Sequence, residues 1–304
     1  MDKLSWKKMG RIFNPDDQTG WGYQYSQVPW AIELKDCVRI YFTSRPTIGL
    51  NNQYVSYTFF ADYDKSFSKM KVVSIAPLLA LGEKGCFDEF GTMPCSVIKR
   101  DDIDEVWLYY VGWTRKESVP YDCSIGLAIS KDGGKTFTKF SNGPLLGASV
   151  TNPFLLGCPR VYRFNNKWYM WYLAGTEWIA YENKVESVYQ LKLATSVNGI
   201  DWDLITDNVI PKLYENECQT CASVFEHNGL YHLYFTYRFG VDFRNPERGY
   251  RIGYAYSEDL LNWIRNDDLG GINKSEHGWD SEMICYPSII EIEGRTVMLH
   301  CGNY

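Results

Sequence analysis

Residues 279–290 read WDSEMICYPSII, and the 304-residue chain carries five variants of this stretch. The heads of the five copies are Pro29 (QVPWAIE), Pro94 (TMPCSVI), Pro159 (GCPRVY), Ala222 (TCASVFE) and Pro287 (CYPSII). They stand 65, 65, 63 and 65 residues apart. Self-similarity at a fixed period marks copies of one supersecondary unit, which stack or close around an axis.

Each head is followed by an alternating aromatic run: RIYFTSR (39–45), VWLYYVGW (106–113), KWYMWYLAG (167–175), LYHLYFTYR (230–238) and TVMLHCGN (296–303). Period-two alternation rich in β-branched and aromatic residues is a strand signal. A third run with small residues in its middle comes next: VSYTFFA (55–61), SIGLAIS (124–130), QLKLATS (190–196) and RIGYAYS (251–257). Each unit then closes on a turn and an aromatic, at Phe67, Phe137, Trp202 and Trp263. Four antiparallel strands repeated radially make a propeller blade. The expected fold is therefore all-β, a five-bladed β-propeller with four-stranded blades, forming a single domain over residues 1–304. The fifth copy stops after its second strand, so the natural chain is expected to continue past Tyr304. The N-terminal stretch through Trp6 and Ile12 is expected to close the ring as an outer strand of blade 5.

Aromatics make up 16% of the chain and hydrophobic residues 45%, ample for a β core. A net charge of −6 argues against nucleic acid, which asks for a basic stripe. No run is long and apolar enough for a membrane span, and the first residues lack the apolar region of a secretory signal. Nine cysteines without paired spacing read as reduced thiols in the cytoplasm. Cys218 and Cys221 form a lone CxxC across a strand start, where its ends face opposite sides; buried thiols are the expected role. His227, His232, His277 and His300 are too scattered for a triad. No metal or cofactor is expected.

Chemistry is expected at the rim where inner strands begin. Acids precede three heads: Asp88 and Glu89, Glu215 and Glu217, Asp280 and Glu282. Positions seven and five before a head share one face of an extended strand. Like charges held close raise at least one pKa, the condition for a carboxylate general acid beside an ionised partner. The second strands end in Arg45 and Arg238, with Trp113, Glu177 and Trp178 nearby in their own copies. Arg forks bind carboxylate or phosphate at two points, and Trp offers a stacking face to a sugar. The expected ligand is a small sugar or an anionic sugar derivative.

The S-x-[DN]-G-x-x-[WF] strand ends and the acids ahead of the heads resemble the propellers of glycoside hydrolase families 43, 32 and 130. The runs RIFNP, FDEFGTMPCSVI, YYVGW, SIGLAISKDGGKTF, YRIGYAYSED and GWDSEMICYP are similar to an intracellular group of glycosidase-like propellers associated with bacterial surface-polysaccharide biosynthesis. The resemblance implies inverting, metal-independent hydrolysis, with Asp88 tuning charge and Glu217 or Glu215 as acid. Families 43 and 32 take the base from the first inner strand, where this chain has Gly22 or Gln24. Asp16, Asp17, Asp280 or Glu282 is then the candidate base. A non-catalytic sugar-binding propeller, or phosphorolysis or transfer on an anionic sugar, is the alternative.

Overall fold

The computed structural model describes residues 3–18, 21–46, 54–205, 207 and 209–303. Its regular structure is all strand apart from two 3-10 turns, at Pro15–Asp17 and Asp267–Leu269. The first sheet holds β1 (Tyr23–Glu33), β2 (Val38–Pro46), β3 (Tyr57–Tyr63) and β4 (Met70–Val73) in that order. The second holds β5 (Gly91–Arg100), β6 (Glu105–Thr114), β7 (Asp122–Ser130) and β8 (Thr138–Lys139). The third holds β9 (Leu156–Phe164), β10 (Lys167–Tyr181), β11 (Lys184–Ser196) and β12 (Asp203–Ile205). The fourth holds β13 (Cys218–His227), β14 (Leu230–Arg238), β15 (Arg251–Ser257) and β16 (Ile264–Arg265). The fifth repeat gives a two-stranded sheet of β17 (Met283–Ile292) and β18 (Arg295–Asn303). Four complete antiparallel, four-stranded blades are thus present among the described residues.

The repeat heads have a backbone reason. Register shifts interrupt β1 between Gln27 and Trp30, β5 between Pro94 and Ser96, and β13 between Thr220 and Ser223. The β9–β10 ladder shifts opposite Trp171 and Leu173. Val28, Cys158 and Cys221 take positive φ at these points, as does Tyr286 just before the fifth head. The extra residue of a β-bulge leaves the ladder locally unpaired, so a head proline there sacrifices no regular hydrogen bond.

Contacts cluster into two compact units. One comprises Met1–Gly10, Ala148–Ile289 and Leu299–Tyr304; the other comprises Arg11–Gly147 and Ile290–Met298. The first is built on Trp171, Leu191, Leu193, Val224, Leu233 and Phe235, with the closing Trp263 packed among them. In the second, Trp21, Phe42 and Phe59 pack together, and Tyr41 lies edge-on to the closing Phe137.

The N-terminal stretch corrects one expectation. No strand forms over residues 3–14; their basic, unalternating sequence is unsuited to a ladder. Residues 4–8 instead lie as a strap, with the Leu4 N–H on the Leu269 carbonyl (2.9 Å) and the Trp6 indole on the Tyr234 hydroxyl (2.9 Å). No helix among the described residues is long and apolar enough to cross a membrane.

The blade-closing turns are local carboxylate boxes. The Asp132 side chain accepts from the Lys135 and Thr136 N–H groups and the Thr136 hydroxyl. Asp259 accepts from the N–H groups of Leu261 and Asn262, and Asn198 does the same for Ile200 and Asp201. Burial works to raise the Asp132 pKa, but hydrogen bonds from Ser130 and Thr136 outweigh it and hold it below the usual value. Asp259 is lowered mainly by Asn262, and Asp64, bound by Ser68, falls to about 2 from 3.8. Groups whose pKa is depressed on folding stabilise fully above their unfolded pKa and lose that contribution as pH falls. Unfolding midpoints in urea are therefore expected to drop from about pH 4 to about pH 2. The double substitution Asp132→Asn and Asp259→Asn, copying blade 3's own Asn198, is expected to flatten the decline. An unaltered pH profile would place the acid sensitivity elsewhere.

Candidate functional site

The acids ahead of the heads lie in turns before the inner strands begin, so period-two geometry does not govern them. Neighbouring acids accordingly part company: Glu217 is buried while Glu215 is exposed, and Asp280 is buried while Glu282 is half-buried. Each buried acid meets a cation. Lys139, the last residue of β8, places Nζ 2.6 Å from Asp88 Oδ2, which also accepts from the Tyr110 hydroxyl at 2.9 Å. Arg265, the last residue of β16, places Nη1 2.7 Å from Glu217 Oε1. The Gln219 amide and the Leu213 N–H complete that carboxylate, and Asp267 pairs with the other edge of the guanidinium. In the fifth repeat, which has no outer strand among the described residues, Lys8 of the strap lies 2.6 Å from Asp280 Oδ2.

The other two blades fill the corresponding place without charge. Asn152 donates to the Tyr172 hydroxyl at 3.5 Å, and the Trp21 indole donates to the Ser74 carbonyl at 3.0 Å. The lead-in to each repeat's inner strand thus carries one such enclosed residue in a slot: Trp21, Asp88, Asn152, Glu217 or Asp280. Burial works to raise the Asp280 pKa, but the Lys8 and Ser275 contacts and the Lys8 charge outweigh it and leave it lowered. A carboxylate so held is ionised and bonded, which unfits it for donating a proton near neutrality. An open depression of about 490 Å³ lies beside the strap, lined by Trp6, Lys8, Gly271, Lys274, Ser275 and His277.

Three other predicted residues are brought together in the second unit. The Arg45 guanidinium lies 5.2 Å from the Tyr54 ring centre, and its Nε donates to the Ser56 hydroxyl. Arg115 donates to the Tyr54 carbonyl (3.0 Å), covers Phe90 at 3.9 Å and reaches Trp113 at 5.9 Å. Glu89 accepts from the Gly85 N–H and the Thr114 hydroxyl; these contacts, in that order, lower its pKa, with Arg115 adding to the effect. Arg115 and Tyr54 escape sequence reading because they lie on loops outside the repeat pattern. The Trp113 side chain is half-buried, with the edge of its ring against the backbone of Gly91. A Cβ at Gly91 would stand 1.6 Å from its Nε1, which is buried without a hydrogen-bond partner among the described residues.

In the first unit, Glu177 is exposed and Trp178 half-buried on the β10–β11 hairpin, opposite Val188 and Ser187. The Glu282 carbonyl accepts from Arg251. Arg238 is 3% exposed and packs on Phe243 and Tyr189. Of the alternative bases, Asp16 and Asp17 are exposed in the first 3-10 turn, with Asp17 accepting from Asn14. Cys218 and Cys221 are buried free thiols. No cluster of three metal-ligating side chains occurs among the described residues.

Across its length the chain is similar to the uncharacterised protein MT1551 of Mycobacterium tuberculosis (strain CDC 1551 / Oshkosh). The two are 30% identical over 304 residues, covering 99% of this chain and 95% of that protein. The chain belongs to that family. No protein-family model matches it. Among solved structures, a glycoside hydrolase superposes with a TM-score of 0.70 at 15% identity, covering 94% of this chain and 90% of its own. A thermostable family-43 glycoside hydrolase superposes with a TM-score of 0.61 at 16% identity, covering 88% and 80%. Likeness at these identities shows the fold: an all-β propeller of glycosidase type with four-stranded antiparallel blades. A fold of this kind hosts many functions.

Proposed function

We propose that this family member is a carbohydrate-recognising propeller in which Asp88, Glu217 and Asp280 hold blades together, and that it binds its sugar without hydrolysing it through those acids. The observation that carries this reading is the trio of ion pairs, Asp88–Lys139, Glu217–Arg265 and Asp280–Lys8, at 2.6, 2.7 and 2.6 Å. Inverting hydrolysis needs a protonated carboxyl facing an ionised one across a space for water. An acid whose oxygens are taken by a lysine or arginine is poorly placed to donate a proton to a glycosidic oxygen, which supports the structural reading. The glycosidase-type fold supports a sugar ligand, and the fifth repeat's hairpin is read as the fifth blade. Nine cysteines outside any disulfide support a reducing, cytoplasmic setting, and the resemblance to surface-polysaccharide proteins supports a place in glycan assembly.

Calorimetry across a panel of neutral and charged sugars, with mass spectrometry for products, tests the proposal. Binding without product is expected, with Glu217→Gln and Asp88→Asn lowering the melting temperature and leaving affinity within about twofold of wild type. Product formed by wild type and lost in Glu217→Gln at unchanged melting temperature would overturn it. One observation favours a second, catalytic reading. Glu89 is a partly exposed, ionised carboxylate in the same unit as Arg45. Turnover abolished by Glu89→Gln and untouched by Glu217→Gln would establish that reading instead.

A further inference from the structure

Arg160 is fully enclosed and the side chains of Arg39, Arg238 and Arg265 are nearly so; Arg39 and Arg265 show how carboxylates pair with a buried guanidinium. Arg39 makes a two-point pair with Asp62, at 2.7 Å for both contacts. Arg265 is shared between Glu217 and Asp267. Arg238 is as thoroughly enclosed, yet no carboxylate lies within ion-pair distance of it among the described residues. Its Nε donates to the Tyr189 hydroxyl (3.1 Å), and Nη1 donates to the carbonyls of Phe239 (2.6 Å) and Gly240 (3.2 Å). Nη2 makes no hydrogen bond among the described residues.

The surroundings hold this group in place without neutralising it. The guanidinium carbon stands 3.8 Å from the Phe243 ring centre, 5.1 Å from Tyr189 and 5.6 Å from Tyr250. Aromatic faces orient the plane and exclude water, which strengthens any charge interaction made there. The loop carrying the two carbonyls comes in close: a Cβ at Gly240 would stand 2.7 Å from the Asn216 carbonyl. Only glycine lets that backbone reach Arg238. A buried cation kept without a counter-ion costs stability, and such costs concentrate where a ligand supplies the missing charge.

We infer that Arg238 is the anchor for an anionic oxygen group, carboxylate or phosphate, on the saccharide that this protein binds. The inference rests on the carbohydrate reading above. The fixed cation, with the Nη2 donors left over, suits a charged oxygen acceptor more than a neutral hydroxyl.

Thermal melts in matched ionic strength of sodium chloride, sodium phosphate and sodium glucuronate test it with wild type, Arg238→Met and Arg238→Lys. Phosphate, glucuronate or both are expected to raise the wild-type Tm by several degrees over chloride, the responding anion distinguishing phosphate from carboxylate recognition. Arg238→Met is expected to melt in chloride at or above wild type, because it removes an uncompensated charge, and to lose the anion response. Arg238→Lys keeps the charge without the fixed, oriented Nη2 donors and is expected to weaken the response about tenfold or more. Equal anion responses in wild type and both variants, or none in wild type, would overturn the inference. So would a large loss of Tm in chloride for both variants, since it would make Arg238 structural. Neutral sugars binding in the calorimetric panel without any anion response would sink only this inference. Anion binding with no sugar bound would sink the carbohydrate reading while leaving an oxyanion site.

Discussion

Arg265→Ala is expected to lower the unfolding free energy by about 3–5 kcal/mol, because it strands the Glu217 carboxylate in a pocket that water does not reach. The side chains of the pair are 3% and 0% exposed, so solvent screening does not discount the loss. Arg265 also joins the Pro211 carbonyl and Asp267 to the outer end of its blade, and its plane lies 4.9 Å from the Phe235 ring centre and 4.8 Å from that of Tyr237. The expected fall in melting temperature is roughly 5–10 °C. The paired substitution Glu217→Gln with Arg265→Met is expected to recover most of the loss, because neither half of the charge remains. The same removal in the other blades grades with exposure. Lys139→Ala, from a cation 16% exposed, is expected to cost less than Arg265→Ala, and Lys8→Ala, at 31%, least of the three. Circular-dichroism melts of the three variants give the order directly. An Arg265→Ala protein melting within a degree of wild type would show that Glu217 is not held by this pair, and would return it to the list of available acids.

The repeat pattern made the blades legible because backbone periodicity and turn dipeptides are local. Each ladder is written into its own stretch of alternating aromatics, and each bulge into its head. The acids were legible as a recurring feature but their ion-pair partners were not, because those of Asp88 and Glu217 lie on the far strand of the same blade and that of Asp280 on the strap. Asp88 and Lys139 are 51 residues apart, and Glu217 and Arg265 are 48 apart. A signal for these pairs does stand in the repeat. The residue two places after the closing aromatic is Lys139 where the slot holds Asp88, Leu204 where it holds Asn152, and Arg265 where it holds Glu217. In these three blades charge at that place follows charge in the slot, whereas the first blade, with Trp21 in the slot, carries Lys69 there. Arg45 and Arg238 share a strand position and were legible as a pair of ends. Their surroundings were not, since Tyr54, Arg115 and the loop bearing Phe243 belong to connections that differ from blade to blade. The strap defeated pattern reading altogether, because it binds through single contacts at Leu4, Trp6 and Lys8 and not through a ladder.

That strap offers the second large effect. Gly271 has φ +68, and a Cβ there would stand 1.9 Å from the Leu4 carbonyl oxygen and 2.5 Å from its carbon. Backbone, not a yielding side chain, occupies the space, so Gly271→Ala forces the strap away from the loop. Leu4 then loses its hydrogen bond to Leu269, Trp6 its edge-on contact with Tyr234 at 5.7 Å, and Asp280 the Lys8 ammonium. The Tyr234 hydroxyl, which donates to the Gly270 carbonyl at 2.7 Å, loses the indole that donates to it in turn. The left-handed conformation alone costs about 1–2 kcal/mol for an alanine, and uncovering a mostly buried carboxylate adds to that; a total of about 2–4 kcal/mol is expected. Gly229→Ala separates the two terms. Gly229 has φ +76 in the same unit with nothing within 4 Å of a Cβ, so it carries the conformational cost without the collision. Limited trypsin digestion reads the strap itself, since Lys3, Lys7 and Lys8 flank or lie within it. Cleavage there is expected to accelerate in Gly271→Ala and to match wild type in Gly229→Ala. Equal digestion in the two variants would mean that the strap is held by contacts other than those around Gly271, and that Lys8 is not needed to keep Asp280 in its slot.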